Sequence, residues 1–380
     1  MCSTSSDTTS RDQAHEGHCP APGARRRQRV TRAVRVGSVP VGGGAPVSVQ
    51  SMTKCPTTAV AQVLAQIGAV AEAGADFVRL AVPNAEALEA FAEIKRRSPL
   101  PLVADIHFDH RLAIGAAEAG ADKLRINPGN IGGPERLAAV AEAARQRGIP
   151  IRVGVNAGSL AKEIAAAHGG ATAEALCESA LRSLALLAAV GFEDVVVSIK
   201  ASDVTRTVEA NRLFAERSEV PLHLGITEAG FGLPGVVGSA IGLGILLHEG
   251  IGDTIRVSLT EPPEREVEVG IDVLKALGLR GGPHLVSCPT CGRCKVDLRP
   301  VAEAVREGLR YVKANLTVAV MGCEVNGPGE AREADLGLAA GAGRATLFLR
   351  GKKLRTVPIA EAAEALLAEV GRMVSEKQPP

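Results

Sequence analysis

The segment KLRINPGNIGGPERLAAVAEAARQRGIPIRVGVN spans residues 123–156 and contains two short runs separated by a longer stretch rich in Ala, Glu and Arg. The runs KLRI and IRVGVN have the length of strands, and the stretch between them has the length and composition of a helix. A strand, a helix and a second strand of this size form the unit from which parallel β-sheets are built. The segment therefore predicts an α/β fold.

The same unit recurs along the chain between Val47 and Thr260. Short runs rich in β-branched residues begin at residues 47, 77, 102, 123, 151, 195, 222 and 254, and helix-like stretches separate them. Eight alternations are what a (β/α)8 barrel requires. A doubly wound open sheet is the alternative, but about six strands suffice for it and no G-x-G-x-x-G follows the first run. The sequence therefore predicts a TIM-like barrel over residues 33–265.

Polar and apolar residues alternate within each run, which assigns them to two faces of a strand. In the last run Ile255 and Val257 share one face, and Arg256 and Ser258 lie on the other. The apolar face must contact the helices, so the charged face lies inside the barrel. Five cations from five strands are therefore expected to converge there beside one acid, Asp105: Arg79, Arg125, Arg152, Lys200 and Arg256.

Such an interior is unusual, because barrels are normally filled with branched apolar side chains and an unpaired buried charge is costly. One interpretation is that each cation forms its own ion pair. The other, which five cations together favour, is a small ligand with more than one phosphate, since Arg binds phosphate oxygens in pairs. Several residues at strand ends could donate to such a ligand or simply form turns: Asn127, Gly129, Asn130, Asn156 and Ser159.

After Thr260 the pattern changes to a mixture of helices and strands, which predicts a smaller α+β domain over residues 266–380. Its expected elements are a helix at 264–277, a strand entering Cys288, a helix at 298–313, the strand LTVAVMGC, a hairpin around Arg350 and Gly351, and a helix at 359–374.

Two loops of this domain concentrate the cysteines, SCPTCGRC at residues 287–294 and MGCEVNGPGE at residues 321–330. Cys288 and Cys291 have the C-x-x-C spacing of metal ligands, and Cys323 supplies a third thiol from a distance. Thiolates select zinc or iron–sulfur clusters, and the spacing leaves both open. Cys294 would close a four-thiolate site, whereas Glu330 would be an exchangeable ligand that leaves a position for substrate.

Charge and composition exclude several classes of protein. The 380 residues carry 43 basic and 42 acidic side chains, so the net charge of +1 gives no reason to expect nucleic acid or a membrane. No apolar run reaches the roughly 18 residues of a membrane span. Residues 1–32 contain no hydrophobic segment and are expected to be a disordered tail rather than a secretory signal, with a plastid transit peptide as the weaker alternative. Scattered cysteines without an export signal predict a reducing compartment, the cytoplasm.

Seven motifs together resemble one enzyme family, the bacterial 4-hydroxy-3-methylbut-2-enyl diphosphate synthases, over residues 35–370. They are VSVQSMT, ADIHFDH, LRINPGN, VGVNAGSL, HLGITEAG, SCPTCGR and GCEVNGPGE, in this order. The resemblance implies reductive ring opening and dehydroxylation of 2-C-methyl-D-erythritol 2,4-cyclodiphosphate, in the methylerythritol phosphate route to isoprenoids. Two alternative functions remain open for this sequence. One is a non-enzymatic metabolite sensor stabilised by zinc, and the other is a phosphate-binding transferase with structural zinc.

The resemblance also implies a cofactor, partners and roles for individual residues. A [4Fe-4S] cluster would be bound by Cys288, Cys291, Cys323 and Glu330, reduced by flavodoxin or ferredoxin, in a homodimer whose cluster domains cover the partner's barrel. The implied catalytic residues are Glu228, His107 and Asp105, with Glu228 or His107 as proton donor. The implied substrate-binding residues are Arg79, Arg125, Asn127, Arg152, Asn156, Lys200, Arg256 and Ser258. Cys55, Cys294 and the N-terminal tail depart from the family pattern.

Overall fold

The computed structural model of the chain describes residues 28–310, 312–323 and 325–376. The strands are β1 Val34–Val36, β2 Val39–Val41, β3 Ser48–Met52, β4 Phe77–Ala81, β5 Leu102–Asp105, β6 Lys123–Ile126, β7 Ile151–Asn156, β8 Val195–Lys200, β9 His223–Leu224, β10 Thr254–Ile255, β11 Pro283–Ser287, β12 Leu316–Met321, β13 Leu336–Gly341, β14 Arg344–Leu349 and β15 Lys352–Pro358. The α-helices are α1 Val60–Glu72, α2 Ala85–Arg97, α3 His110–Glu118, α4 Pro134–Arg147, α5 Lys162–Ala167, α6 Ala173–Ala189, α7 Val204–Arg217, α8 Gly232–His248, α9 Pro263–Ala276, α10 Arg299–Leu309, α11 Gly327–Glu333 and α12 Ala362–Glu376. None of these described helices is long and apolar enough to cross a membrane.

Strands β3 to β10 form the predicted TIM-like barrel. They are parallel neighbours in the order β8-β7-β6-β5-β4-β3-β10-β9, and a parallel bridge between Val197 and Leu222 joins β8 to the start of β9. The sheet therefore closes on itself. All eight predicted runs contain a strand, although most strands end earlier than the runs do.

The two faces of each strand are divided as the alternation predicts. Leu124 and Ile126 on β6 belong to the same apolar core as Leu137 of α4, between sheet and helices. Arg125 lies between them in the sequence, and its side chain is buried on the opposite face, inside the barrel. This arrangement follows from the two-residue period of a strand, because neighbouring side chains point to opposite faces.

The amino-terminal end of the barrel is closed by an antiparallel hairpin, β1–β2. Val36 and Val41 of the hairpin form an apolar cluster with Phe77, Val103 and Val196 from three barrel strands. These three residues have the inward parity, so the floor of the barrel is apolar even though the layers above it are charged. Water is thereby excluded from one end of the interior.

The expected disordered tail is only partly within the described residues. Residues 1–27 lie outside them, but residues 28–32 contact the barrel and are not a free tail. Arg29 donates to the carbonyl oxygen of Val220 at 2.8 Å, and the Thr31 hydroxyl donates to Asp253 at 2.7 Å. The prediction failed here because the sequence gives no local signal for these long-range contacts.

Helix α9 belongs to the barrel, which corrects the predicted boundary between residues 265 and 266. Val267, Val269 and Val273 of α9 are buried in the barrel core. The helix therefore covers the last strand as the eighth helix of the barrel, and the second domain begins after it. Its apolar face was visible in the sequence, but the partner of that face was not.

The second domain is an α+β unit built on a five-stranded mixed sheet. The strand order is β11-β12-β13-β14-β15, with β11, β12 and β13 parallel and the last two pairs antiparallel. The predicted hairpin at Arg350 and Gly351 joins β14 to β15. The predicted helix at 298–313 is shorter, because α10 ends at Leu309.

Helix α11 packs unusually close to β13. A Cβ atom at Gly337 would lie 2.0 Å from the carbonyl oxygen and 2.5 Å from the Cα atom of Ala331 in α11. Both are backbone atoms, so they can be relieved only by moving the whole helix. The absence of a side chain at Gly337 therefore sets the position of α11 on the sheet.

We expect Gly337→Ala to lower the free energy of unfolding by about 1 to 3 kcal/mol, the usual cost of overpacking. Gly371→Ala is the matched control, because a Cβ there meets no atom within 4 Å and Ala is the better helix former by about 0.5 to 1 kcal/mol. Chemical unfolding followed by circular dichroism measures both. Equal stabilities for the two variants would contradict the close packing of α11.

Candidate functional site

Asp105, at the end of β5, is the centre of a network of charged side chains. Its carboxylate lies 3.2 Å from Arg125 Nη1, 3.7 Å from Arg79 Nε and 3.4 Å from His107 Nε2. The Nδ1 atom of His107 is 3.2 Å from the same nitrogen of Arg125. Asp105 is 3% exposed and His107 is 53% exposed, so the network connects the interior of the barrel with its mouth.

The charge of this network is fixed by its neighbours. Burial alone would raise the pKa of Asp105, but the charge of Arg79, a hydrogen bond from His107 and the charge of Arg125 hold that pKa well below its usual range. Burial lowers the pKa of Arg79 to about 10, and the nearby Asp105 opposes that shift. Asp105 is therefore an anion that anchors cations, and it does not carry a proton near neutral pH.

Two glycines provide the space that long cations need inside a narrow barrel. A Cβ atom at Gly154, on β7, would lie 2.6 Å from Nε and 2.7 Å from Nη2 of Arg125. A Cβ atom at Gly225, just after β9, would lie 2.6 Å from Nζ of Lys200. The neighbouring strand thus has no side chain at the point where each of these two cations lies.

The structure brings together all five of the predicted cations. Burial, and then the charges of Arg152 and Arg256, lower the pKa of Lys200 well below its ordinary value. Burial, and then the charges of Arg79 and Arg125, do the same to the pKa of Arg152. Shifts of this kind need charges that act on one another over short distances in a poorly solvated space. The barrel therefore has an excess of positive charge at its centre.

Glu266 is a second buried acid beside the cations, which the sequence analysis did not identify. Its Oε1 accepts from the backbone N–H of Leu259 at 2.8 Å and lies 3.1 Å from Lys54 Nζ. Its Oε2 lies 3.4 Å from Arg256 Nη2, and its side chain is 1% exposed. Glu266 thus forms an ion pair with Arg256 and connects helix α9 with the first loop of the barrel.

Two signals in the sequence could have revealed the residues that were missed. Glu266 lies on the same face of α9 as the buried Val269 and Val273, and a glutamate on an apolar helix face needs a partner. Lys123 has the same parity as Arg125 on β6, and its side chain is fully buried. It is a sixth cation of the interior.

The predicted polar residues at the mouth differ in their surroundings. Asn127 accepts from the N–H of Gly129 at 3.1 Å and so caps a 3-10 turn. Asn156, the last residue of β7, and Ser258, three residues past β10, are half-buried, and Glu228 is exposed. Glu228 has a backbone φ of 53°, in the left-handed region that is unfavourable for a side chain of its size. The loop after β9 therefore holds Glu228 at the rim in a strained conformation.

The cysteine loops meet at one edge of the second sheet. Strands β11 and β12 are parallel neighbours, and the N–H of Cys288 donates to the carbonyl oxygen of Val320 at 2.9 Å. Cys323 follows β12 by two residues. Both loops thus leave the sheet at its carboxyl edge. A side-chain hydrogen bond with Cys291, and then the charges of Cys291, Cys323 and Cys288, raise the pKa of Arg293, which therefore lies close to all three cysteines.

The donor set fits a metal centre that needs soft anionic ligands. Backbone N–H groups of Asn326, Val325 and Gly327 hydrogen-bond to the Cys323 thiol and lower its pKa. A backbone and a side-chain hydrogen bond from Arg293 lower the pKa of Cys291. Thiolate is the metal-binding form of cysteine. No three His, Cys, Asp or Glu side chains among the described residues already surround a metal position. The fit to a metal centre therefore rests on the chemical type of the donor residues.

Cys294 and Glu330 lie in different environments. Cys294 is half-buried against the domain core, its thiol donates to the carbonyl oxygen of Val296 at 3.3 Å, and a Cβ on Gly322 would lie 2.4 Å from its sulfur. Glu330 was expected in a Gly-Pro-Gly loop, but that segment is the first turn of α11. Its N–H donates to the carbonyl oxygen of Asn326, and its side chain is exposed.

Two family models match the two domains. The GcpE TIM-barrel domain matches residues 31–271, and the GcpE protein C-terminal domain matches residues 284–372. Three curated relatives are named 4-hydroxy-3-methylbut-2-en-1-yl diphosphate synthase (flavodoxin). That of Geobacter sulfurreducens is 56% identical and covers 91% of this chain and 99% of its own length. That of Symbiobacterium thermophilum is 51% identical, with 92% and 95% covered, and that of Aquifex aeolicus is 51% identical, with 91% and 98% covered.

The matched regions include the cationic barrel and the cysteine loops alike, and the relatives align along almost their whole length. The chain therefore belongs to the GcpE family.

Proposed function

We propose that the protein catalyses the reductive ring opening and dehydroxylation of 2-C-methyl-D-erythritol 2,4-cyclodiphosphate to 4-hydroxy-3-methylbut-2-enyl diphosphate. The observation that carries this proposal is the convergence of five cations around Asp105 in the barrel, in a chain that also presents three cysteine thiols at one sheet edge. The relatives bear the name of this synthase.

The barrel cations would bind the diphosphate of the substrate. Arg125 and Arg79 are held by Asp105, and Arg256 is held by Glu266. After burial, the largest effects on the pKa of Lys200 come from four arginines, all of which lower it. Cations fixed in this way need little reorganisation as negative charge develops on the leaving diphosphate oxygen. Arg152 would add positive charge to the interior. The uncharged side chains of Asn127, Asn156 and Ser258 would form hydrogen bonds with the substrate at the rim.

Three thiolates would hold the cofactor, and Glu330 would be its fourth ligand. When bound, a [4Fe-4S] cluster would pass on, one at a time, the two electrons from the carrier that removal of the hydroxyl requires. The hydrogen bonds that Cys291 and Cys323 accept lower the pKa of both thiols and so favour the thiolate form that binds metal. The packing of Cys294 against Gly322 and its bond to Val296 favour a structural role for that thiol. An oxygen ligand exchanges more readily than a fourth sulfur, so substrate could take the position of Glu330.

The departing hydroxyl needs a proton, and Glu228 is the better placed of the two predicted donors. Both ring nitrogens of His107 are engaged, Nδ1 by Arg125 and Nε2 by Asp105. Arg125 can only donate, so Nδ1 must accept and the ring proton lies on Nε2, facing Asp105. His107 therefore orients the anchor of the cations, whereas the exposed Glu228 is free to transfer a proton at the mouth.

A second copy of the chain would complete the site. Helix α8 exposes an apolar stripe, formed by Leu233, Val237, Ile241 and Ile245, that is between 37% and 74% exposed. Exposed stripes of this kind mark interaction surfaces, and self-complementary contact across a two-fold axis is the commonest arrangement. We propose a homodimer in which the cysteine domain of one chain covers the barrel of the other and excludes water.

The remaining partners follow from the same proposal. The names of the relatives specify flavodoxin, and a small electron carrier, flavodoxin or ferredoxin, would reduce the cluster. The described cysteines are free thiols, which suits a reducing compartment, and we place the protein in the cytoplasm.

The test is the activity and metal content of protein purified without oxygen. We expect about four irons per chain and conversion of the cyclic diphosphate by reduced flavodoxin. Arg125→Ala should keep its iron but bind substrate more weakly by about 2 to 5 kcal/mol, because a buried charge pair is broken. Arg111→Ala is the control, since this arginine is 79% exposed and pairs only at the surface. Colourless protein with one zinc and no turnover would favour the metabolite sensor instead.

The identity of the fourth ligand is tested by substituting each of the two candidate residues separately. We expect Cys294→Ser to keep the cluster and most of the activity, and Glu330→Ala to lose turnover while it keeps much of its iron. Glu333→Ala, an exposed change on the same helix, should behave like the wild type. Loss of the cluster in Cys294→Ser together with normal turnover in Glu330→Ala would reverse the assignment.

The assembly is tested by mixing two chains that are impaired in different domains, at a substrate concentration that does not saturate the Arg125→Ala chain. A Cys323→Ala chain keeps its barrel, and an Arg125→Ala chain keeps its cysteine domain. We expect activity to return when they exchange subunits, because each mixed dimer has one complete site. Verified exchange without any recovery of activity would show that the cysteine domain closes over its own barrel.

A further inference from the structure

The interior of the barrel contains a second polar layer, enclosed between the Asp105 network and the apolar floor. Gln50, Lys123, Arg152 and His223 contribute to it from four strands, and each of their side chains is at most 1% exposed. Several of their polar atoms have no hydrogen-bond partner among the described residues: Gln50 Nε2 and Oε1, Lys123 Nζ, Arg152 Nε and Nη1, and His223 Nε2. Buried polar groups in native proteins are nearly always paired.

These side chains lie close together. Lys123 Nζ is 4.2 Å from the centre of the Phe77 ring, and Gln50 is the register partner of Phe77 on the neighbouring strand. Burial, and then the charges of Lys200, Arg152 and Lys123, lower the pKa of His223. None of the unpartnered atoms bonds to another of these side chains within the described residues, so each still needs a partner in the interior.

The chemistry of the layer selects an anion over water. Lysine and arginine offer only N–H donors, and a water molecule must also donate its own two hydrogens. When His223 Nδ1 accepts from the Thr254 hydroxyl, 3.3 Å away, Nε2 of His223 is a donor. Gln50 Oε1 and the Ser48 hydroxyl are then the acceptors that remain unpaired here within the described residues. Water would also leave two positive charges without a counter-ion, whereas a monatomic anion accepts from every donor and neutralises charge.

The two acids nearby are already used. Asp105 pairs with Arg79 and Arg125, and Glu266 pairs with Arg256 and Lys54. Burial and the charges of Arg152 and Arg79 lower the pKa of Lys123 well below its ordinary value, with no acid among the causes. A bound anion would remove this unfavourable electrostatic energy.

We propose that the enclosed layer is a binding site for a small inorganic anion of halide size, separate from the diphosphate site at the mouth. The anion would lie between Lys123 Nζ and the Nε–Nη1 edge of Arg152, with further donors from His223 and Gln50. It would stabilise the barrel and change the electrostatic potential below the bound substrate. The inference does not rest on the identity of the substrate, because the site is complete without it.

The decisive experiment is crystallographic. Crystals of the cluster-loaded protein are grown with bromide in place of chloride, and anomalous differences are collected at the bromine edge. We expect a peak between Lys123 Nζ and the Arg152 guanidinium. Density at that position without anomalous signal would identify water and overturn the proposal, whatever the enzyme's activity.

A solution measurement tests the same site independently. At constant ionic strength, chloride at ten times its Kd should raise the Tm of the cluster-loaded protein by about 3 °C over gluconate. Lys123→Met should abolish this difference, and Lys353→Met, which removes an exposed lysine, should keep it. If Lys123→Met does not fold, the bromide map of the wild type decides. A Tm shift with inorganic phosphate and none with halide would overturn the proposal, because the layer would then belong to the diphosphate site.

Discussion

Positive charge that must be kept inside a barrel is the constraint on which this structure depends. A barrel interior is normally filled by apolar side chains, but here arginines and lysines from five strands occupy it. Each would be costly to bury alone. Asp105 and Glu266 bind three of them directly. Burial and the neighbouring cations lower the pKa of Arg152 and of Lys200, which indicates that positive charge is left uncompensated. A ligand with several negative charges is the natural complement of such a space.

The rest of the barrel accommodates these cations. Gly154 and Gly225 leave room for Arg125 and Lys200, and the β1–β2 hairpin closes the floor with apolar residues. Helix α9 contributes Glu266 from outside the sheet. Because the floor excludes water, each ion pair above it acts in a poorly solvated environment, where charges interact more strongly than at the surface.

The cations and the cysteines belong to two separate sheets, and in each sheet the ends of parallel strands bring the side chains together. Parallel strands end together at one edge, so the loops that follow them can place side chains close to one another. Asp105 and His107 follow this rule at the end of β5, and Cys288 and Cys323 follow it after β11 and β12. The separation lets the cationic pocket and the cysteine loops be arranged independently, and under the proposed function a domain contact would bring them together.

The sequence by itself determined the architecture of the barrel and the identity of its interior. The alternation of residues in each run assigned Arg125 and Arg256 to the inner face, because the period of a strand is a local property of the backbone. It also located the cysteine loops, whose spacing is a chemical signature in its own right. Only the tertiary structure decided what those residues contact. The pairing of Arg256 with Glu266, the place of α9 in the barrel and the helix that carries Glu330 depend on contacts between distant segments. Such contacts are set by how surfaces fit in three dimensions, for which a periodic pattern provides the face but not the partner.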